Sequence, residues 1–396
     1  MKDNEVWSSH FDQNERQMAQ AIEALDFSSA VDYHYGKFPP EIPGIGSLIK
    51  PLMAASAALA RYDQTLRTMH NGEILLAPLR NQEAVISSRM EGTVSTLDEI
   101  LRYEAEAEAD GEEINTRFRS EVIEVALYSR AMRMAQQSMQ VGQPLSPFML
   151  RSAHKILLSF GRGAAKNPGE FKTEQNYLAD RNRRRILFVP IKPEFLNDGM
   201  GRLFDYVGSD QHETITRSAI AHVEFESLHP FADGNGRIGR MLIPLMLWQG
   251  GILTQPYFYV SAYLEEHREE YLDRMRAVSS NGDWLGWLGF MLEAYETQAN
   301  RNLEKSERIS SLYDKMKERF RGMLHSQWST VAVDFVFTRP VFRGSQFAAR
   351  SGIPPQTAYR FLRNLQNHKL LNLLEPAAGR RPALYSFEPL LALVRD

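Results

Sequence analysis

His229-Pro230-Phe231-Ala232-Asp233-Gly234-Asn235-Gly236-Arg237-Ile238-Gly239-Arg240 runs straight into an apolar segment, Met241-Leu242-Ile243-Pro244-Leu245-Met246-Leu247-Trp248. That order reads as a polar loop feeding a buried core helix. Gly234 and Gly236 around Asn235 admit positive φ, so backbone N–H groups can turn into one concavity that holds an anion. A helix opened by Gly236 or Arg237 adds the free N–H groups and dipole of its first turn. Arg237 and Arg240 are three apart, share a face of that helix and can both reach a polyphosphate. Asp233 is a hard oxygen ligand suited to a Mg²⁺ that keeps most of its waters and bridges phosphates. His229, just ahead of the loop, is the natural general base near neutral pH.

These residues resemble the signature of the Fic family, His-x-Phe-x-Asp/Glu-Gly-Asn-Gly-Arg-x-x-Arg, at every specified position. The resemblance implies a mostly α-helical Fic fold with a β-hairpin flap. It implies transfer of AMP from ATP to a Ser, Thr or Tyr hydroxyl of a target protein, with ATP and Mg²⁺ as the expected cofactors. In that reading His229 deprotonates the attacking hydroxyl and Asp233 holds the metal. Gly234, Asn235 and Gly236 cradle the α- and β-phosphates with Arg237, and Arg240 binds the γ-phosphate.

Upstream, good helix formers from Arg80 to Glu91 and a natural stop at Gly92 predict a helix over 80–92. Ser87 and Glu91 are four apart and share a face of it. Ser87-Ser88-Arg89-Met90-Glu91-Gly92 resembles the family's inhibitory motif, Ser/Thr-x-x-x-Glu-Gly/Asn. The resemblance implies that Glu91 pairs with Arg240 and occupies the guanidinium that the γ-phosphate needs. Ser88-x-x-Glu91 also satisfies a capping box, so the start of a helix is the competing reading. Removal of AMP, with Glu91 orienting a water, is a variant within the same site.

Over 396 residues, 43% hydrophobic and 24% charged content is ordinary for a globular chain of two or three domains. A net charge of −3 gives no global attraction to nucleic acid or an anionic membrane. The absence of cysteine excludes disulfides, thiolate metal sites and a cysteine nucleophile, and suits a reducing cytoplasm. Residues 1–5 lead into polar sequence rather than an apolar signal, and the apolar run at 241–248 is too short to span a bilayer. A cytoplasmic protein without membrane contact is expected, with homodimerisation left open.

In chain order, a short helix is expected over 14–25, and Tyr33-His34-Tyr35-Gly36-Lys37-Phe38-Pro39-Pro40 as an extended arm on the surface. Leu48, Leu52, Ala55, Leu59 and Tyr62 predict a helix from Gly44 to about Met69, stopped at His70-Asn71-Gly72. Another starts at Ser95 or Thr96, where Thr96-x-x-Glu99 can cap, and runs into a solvated acidic stretch, 104–113. Amphipathic helices follow over 115–139 and 144–159, with His154 read as structural.

After the Gly-rich stretch 161–172, Ile186 to Pro190 reads as a strand. Its position makes Phe188, Val189 and Pro190 the candidate flap, the hairpin that clamps a target by strand addition. Arg181 to Arg185 before it is a solvated loop or a surface for an acidic target. The helix 214–227 carries His222 and Glu226, which lack the arrangement of a zinc peptidase and read as packing or loop-positioning groups. Aromatic residues from Tyr257 onward resemble those that wall the family's adenine pocket; Tyr271 is assigned to the base, with a core tyrosine as the equal alternative. Trp284, Trp287, Phe290 and Leu292 close the core.

Residues 296 to about 325 read as a charged connecting helix, and the remainder resembles a winged helix-turn-helix with Arg380 and Arg381 in its wing. Arg360, Arg363, Arg380 and Arg381 suit either DNA phosphates or a protein partner. The expected domains are thus 1–112, carrying the inhibitory helix, the catalytic core 113–295, a connector 296–330 and the winged helix 331–396. The alternative from another class is a winged-helix DNA-binding regulator whose Fic domain senses a nucleotide.

Overall fold

The computed structural model describes residues 25–69, 72–107, 116–180, 185–379 and 381–395. The expected helix at 14–24, the stop at 70–71, most of the acidic run, the basic run 181–184 and Arg380 lie outside them. The chain is mostly helical, at 65% helix. After a short strand β1 (Val31–Asp32) come α1 (Ile49–Thr68), α2 (Gly72–Met90), α3 (Leu97–Ala107), α4 (Ser120–Gln140) and α5 (Pro147–Leu157). The predicted stripe of α1 is the side that packs inward: Ala55, Leu59 and Tyr62 are fully buried. Each such leucine contributes about 1.5–3 kcal/mol by leaving water.

Caps set the ends of these helices. Thr96 and Glu99 form the reciprocal box ahead of α3, the Glu99 carboxylate accepting the Thr96 N–H at 2.9 Å and the Thr96 hydroxyl accepting the Glu99 N–H at 3.3 Å. Ser146 caps α5 on the Met149 N–H, with Pro147 in its first turn. The helix α2 begins at Gly72 rather than Arg80 and carries Pro78 within it. Ser87 and Ser88 therefore sit in its last turns, and the competing reading of Ser88-x-x-Glu91 as a helix start is overturned. Gly92 takes φ 82°, which ends α2.

Next come β2 (Leu178–Ala179), β3 (Ile186–Val189), α6 (Pro193–Val207), α7 (Thr214–Leu228) and α8 (Asn235–Gln249). The hairpin of β2 and β3 is completed by β1, in the order β1-β3-β2, with β1 parallel to β3. Both edges of β3 are thus occupied, and Pro190 lies beyond its end. Among the described residues, the outer edges of this sheet are those of β1 and β2, so a further strand would add there and not directly to Phe188 and Val189. The expected surface arm is also corrected. Tyr33 and His34 are buried, because Glu224 of α7 accepts the Tyr33 hydroxyl at 2.6 Å and bonds His34 Nε2 at 2.9 Å.

The chain continues through α9 (Ser261–Glu266), α10 (Arg268–Asn281) and α11 (Trp284–Leu324). The Asp283 carboxylate caps α11 on the Gly286 N–H at 2.9 Å, and His325 ends it at φ 44°. The core-closing residues Trp284 to Leu292 and the charged connector form one unbroken 41-residue helix packed along α1. Beyond it lie α12 (Ser329–Thr338), β4 (Val341–Arg343), α13 (Gly344–Arg350), α14 (Pro355–Asn367), β5 (Asn372–Glu375), β6 (Leu384–Ser386) and α15 (Glu388–Arg395), the strands ordered β4-β6-β5. This C-terminal module docks on the N-terminal helices through charge. Arg343 donates to Glu106 and to Glu375, Arg381 to Glu106 at 3.0 Å, and Arg395 to Asp98 at 2.7 Å.

Candidate active site

The loop 229–234 joins two buried helices, α7 and α8. His229 leaves α7 in the left-handed region at φ 46°, and Gly234 enters α8 at φ 77°, so the chain turns sharply at both ends. Gly236 does not take positive φ as the sequence suggested. It lies in the first turn of α8, which opens at Asn235. Its missing side chain serves another purpose, since a Cβ there would stand 2.1 Å from Glu91 Oε1.

Four side chains fix the loop. Asn235 accepts the Phe231 N–H and donates to the Phe231 carbonyl, both at 2.8 Å, so its amide is a staple and only its backbone faces the nest. Asn176 donates to the carbonyls of His229 and Phe231 at 3.1 and 3.0 Å. Lys172 donates to Leu228 O at 3.1 Å, and burial lowers its pKa to about 7. His154 stacks on Phe231, donates Nε2–H to the Asp233 carbonyl at 2.9 Å and accepts the Gly169 N–H at Nδ1. The structural reading of His154 is therefore the right one, and what it supports is the loop itself.

His229 donates Nδ1–H to the Glu226 carbonyl at 3.3 Å, which leaves Nε2 as the acceptor. Burial, then the Lys172 charge, hold its pKa down to about 4, so the ring is neutral at pH 7. Asp233 accepts the Gly234 N–H at 2.6 Å and lies 3.9 Å from Arg237. No group of three His, Cys, Asp or Glu that could hold a metal occurs among the described residues. A lone, partly exposed carboxylate fits an ion that draws its other ligands from phosphates and water.

Arg237 and Arg240 are both buried, at 1% and 3% exposure, yet their surroundings differ. Arg237 Nε and Nη1 have no hydrogen-bond partner among the described residues. Burial lowers its pKa, and nearby Glu91 and Asp233 oppose that only in part. Arg240 donates from Nε to the Ser87 hydroxyl and from Nη2 to the Ser87 carbonyl, both at 2.8 Å, and to Glu91 Oε1 at 2.7 Å. Burial disfavours its charge, but Glu91, Tyr271 and Glu226 more than offset this and raise its pKa. Glu91 mirrors it: burial pushes its pKa up, Arg240 pulls it down further, and the pKa ends lowered. The Glu91 carboxylate thus lies over Gly236 at the mouth of the nest.

Other residues hold Glu91 there. Arg89 makes a bidentate pair with Glu265 of α9, both contacts 2.6 Å. Arg162 donates to the Glu91 carbonyl at 3.2 Å and to the Thr93 hydroxyl at 2.8 Å, with its Nε 3.5 Å from Glu124. Sequence reasoning missed Arg162, Glu265, Lys172 and Asn176; the one signal was Arg162 placed between Gly161 and Gly163.

Tyr271 is buried, with its hydroxyl on His222 Nε2 at 2.8 Å, and His222 Nδ1 donates to Gly239 O at 3.0 Å. As it stands, Tyr271 is packed among Trp287 and Phe290. Glu226 is half-buried, with Oε1 out of solvent and unpartnered among the described residues, where a Cβ on Gly239 would come within 2.2 Å; burial raises its pKa to about 8. No helix among the described residues is long and apolar enough to cross a membrane.

Residues 49–137 match the model of the Fic/DOC family N-terminal region, and residues 144–247 that of the Fic/DOC family. The chain is similar to protein adenylyltransferase fic-1 of Caenorhabditis briggsae, 25% identical over 168 residues, which are 36% of this chain and 32% of that protein. It is also similar to a probable protein adenylyltransferase of Aquifex aeolicus (strain VF5), 36% identical over 64 residues, 16% of this chain and 18% of the relative. The matches span a third or less of these relatives. The fold resembles that of a Fic family protein from Desulfovibrio desulfuricans G20, with TM-score 0.54 and 19% identity over 88% of this chain and 97% of that one.

Proposed function

From the two Fic/DOC family domains that the chain carries, at residues 49–137 and 144–247, we propose that it is a protein adenylyltransferase that rests with Glu91 on Arg240. It moves AMP from ATP to a Ser, Thr or Tyr hydroxyl of a target protein. The observation that carries this reading is Arg237, a buried guanidinium at the foot of a backbone nest whose Nε and Nη1 find no partner among the described residues. Asp233 stands 3.9 Å from the Arg237 guanidinium and Glu91 is near, so the charge is partly balanced, but each buried donor left without a hydrogen bond costs about 1–3 kcal/mol, which a phosphate in the nest removes.

In the reaction, His229 Nε2 takes the proton of the hydroxyl as its oxygen attacks the α-phosphorus. The bond from that phosphorus to the bridging oxygen of the β-phosphate breaks, and pyrophosphate leaves. Because His229 is neutral at pH 7, it accepts the proton without first losing one. Asp233 is the residue that would hold Mg²⁺, which when bound neutralises phosphate charge. Glu91 opposes the reaction by occupying Arg240, so the γ-phosphate meets a carboxylate in place of a guanidinium.

The test is transfer of label from α-³²P-ATP, with Mg²⁺, to the chain itself or to proteins of a cell extract. Glu91→Gly is expected to raise transfer by at least about tenfold, the worth of one charge-assisted hydrogen bond. His229→Ala in that background should return it to the blank, a loss of about 10²–10⁴. Absence of transfer by Glu91→Gly overturns the proposal.

For residues 329–395 we read a winged helix that contacts protein. Arg360 and Arg363 are exposed on α14, but the wing residue Arg381 is engaged by Glu106 and lies 3.8 Å from Glu375, which takes it from any DNA backbone. A duplex gel shift that disappears with Arg360→Ala and Arg363→Ala would instead favour DNA.

A further inference from the structure

Between the turn at 161–163 and β2, one segment meets the catalytic loop carbonyl by carbonyl. Lys172 Nζ donates to Leu228 O at 3.1 Å and the Lys172 N–H to Pro230 O at 2.8 Å. Asn176 Nδ2 donates to His229 O at 3.1 Å and to Phe231 O at 3.0 Å. Four successive carbonyls, 228–231, are thus held by two residues. An anion nest is built of N–H groups, so a loop whose carbonyls are held elsewhere keeps acceptor oxygens off a phosphate. The segment is itself tied down: the Gln175 amide donates to Pro190 O at 3.0 Å and the Gly169 N–H to His154 Nδ1 at 2.8 Å.

Asn176 can do this in one orientation, because its amide is an acceptor at one end and a pair of donors at the other. Lys172 Nζ, a donor without acceptor capacity, stands 2.7 Å from Asn176 Oδ1 and fixes the oxygen on its own side. The amide N–H groups then face the carbonyls of His229 and Phe231. His229 takes φ 46° at this point, a conformation that a non-glycine residue keeps only where its surroundings enforce it. We propose that Lys172 and Asn176 are positioning residues of the transfer step: the ammonium orients the amide, and the amide holds the His229 turn so that Nε2 faces the attacking hydroxyl. This role rests on the adenylyltransferase reading of the site. Lys172 also acts on the ring through its charge. Burial and then Lys172 lower the His229 pKa to about 4, while the Glu226 carbonyl, Glu91 and Asp233 pull the other way.

The test is steady-state transfer from α-³²P-ATP by the full chain in the Glu91→Gly background, with circular dichroism to confirm the fold. Asn176→Asp keeps the size of the side chain and its contact with Lys172 but sets an oxygen against two carbonyls; Asn176→Ala and Lys172→Met each remove one partner. Each is expected to lower kcat about 10–100-fold, the order of a displacement of about 1 Å, with KM for ATP within about threefold. Lys172→Met combined with Asn176→Ala should fall little further than the worse single variant, because the lysine acts through the asparagine. Unchanged kcat in Asn176→Asp, a loss carried by KM alone, or losses that multiply in the double variant overturns the role. A second readout needs no transfer. By ¹⁵N NMR of the imidazoles, the His229 pKa should rise in Lys172→Met, since Lys172, whose own pKa is lowered to about 7, is charged where His229 titrates. Should Lys172→Met not fold, Lys172→Gln removes the same charge for this readout, and an unmoved His229 pKa overturns the role. Absence of transfer by Glu91→Gly itself, with the His229 pKa raised in Lys172→Met, would sink the adenylyltransferase reading and leave the hold of Lys172 on His229 standing.

Discussion

The first and second turns of α8 carry the same residue type on the same face and treat it in opposite ways. Arg237, in the first turn, is buried with donors to spare; Arg240, in the second, is saturated by Ser87 and Glu91. The loop and its helix dipole act on both. What separates them is α2, which reaches one and not the other. The resting state of the site is therefore set by a helix from another part of the chain, and the loop itself stays equipped for an anion.

The largest expected effect breaks the comparison from the side of Arg237. In the Glu91→Gly background, Arg237→Ala should weaken ATP binding about 100-fold, since a buried charge-assisted contact is worth about 1.5–3 kcal/mol. At the same time the melting temperature should hold or rise, because buried donors without a partner among the described residues have been removed. A clear fall in melting temperature would show that Arg237 is a structural cation, and the contrast with Arg240 would collapse.

From the side of Arg240, Glu91→Gly should cost stability, about 3 kcal/mol or less given that Ser87 still accepts two of its bonds. ATP should then raise the melting temperature of this variant more than that of wild type. Equal shifts would mean that Glu91 does not compete with nucleotide. The latch is expected to matter less: Arg89 and Glu265 are partly exposed, so Arg89→Ala should shift the balance by no more than about 1 kcal/mol and raise transfer by up to about fivefold.

The smallest change is expected in the pH profile between 8 and 6. With the His229 pKa lowered to about 4, kcat/KM should lack an acid limb at the usual 6.5 and fall only nearer 4. Stability follows the same sign. His154 and His229 are lowered to about 4 and His222 to about 3, all below their unfolded value of 6.5. Between those limits the unfolded chain binds more protons, so these groups take stability away as pH drops below 6.5. Glu226, raised to about 8, and Glu83, raised to about 7, act with the opposite sign over the same range, so the check is a difference: His222→Gln should remove part of the loss between pH 6.5 and 5, and an unchanged slope would contradict the burial of that ring as its cause.

Much of this was legible along the chain. Spacing located α1, α4, α5 and α7 to within a few residues, because each presents an apolar stripe at the helical period. The capping box at Thr96 was readable because its partners are three residues apart. The start of α2 was misplaced because Pro78 marks a boundary by local rules, whereas the helix runs through it from Gly72. The Tyr33 and His34 arm was misjudged because its partner, Glu224, lies 190 residues away. No local pattern reports a buried carboxylate supplied by a distant helix.

By itself the sequence determined the chemical parts of the site: a base, a carboxylate, a glycine turn and two arginines at fixed offsets. Those offsets act within one loop and one helix turn, where covalent connection dictates the geometry. Only the tertiary structure decided how each part is used. It turned the Asn235 amide into a staple, left two Arg237 donors without a partner among the described residues and made Gly236 the gap through which Glu91 reaches Arg240. It also closed both edges of β3. Each of these depends on groups from different elements meeting in space, and burial fixes their energies only once those neighbours are in place.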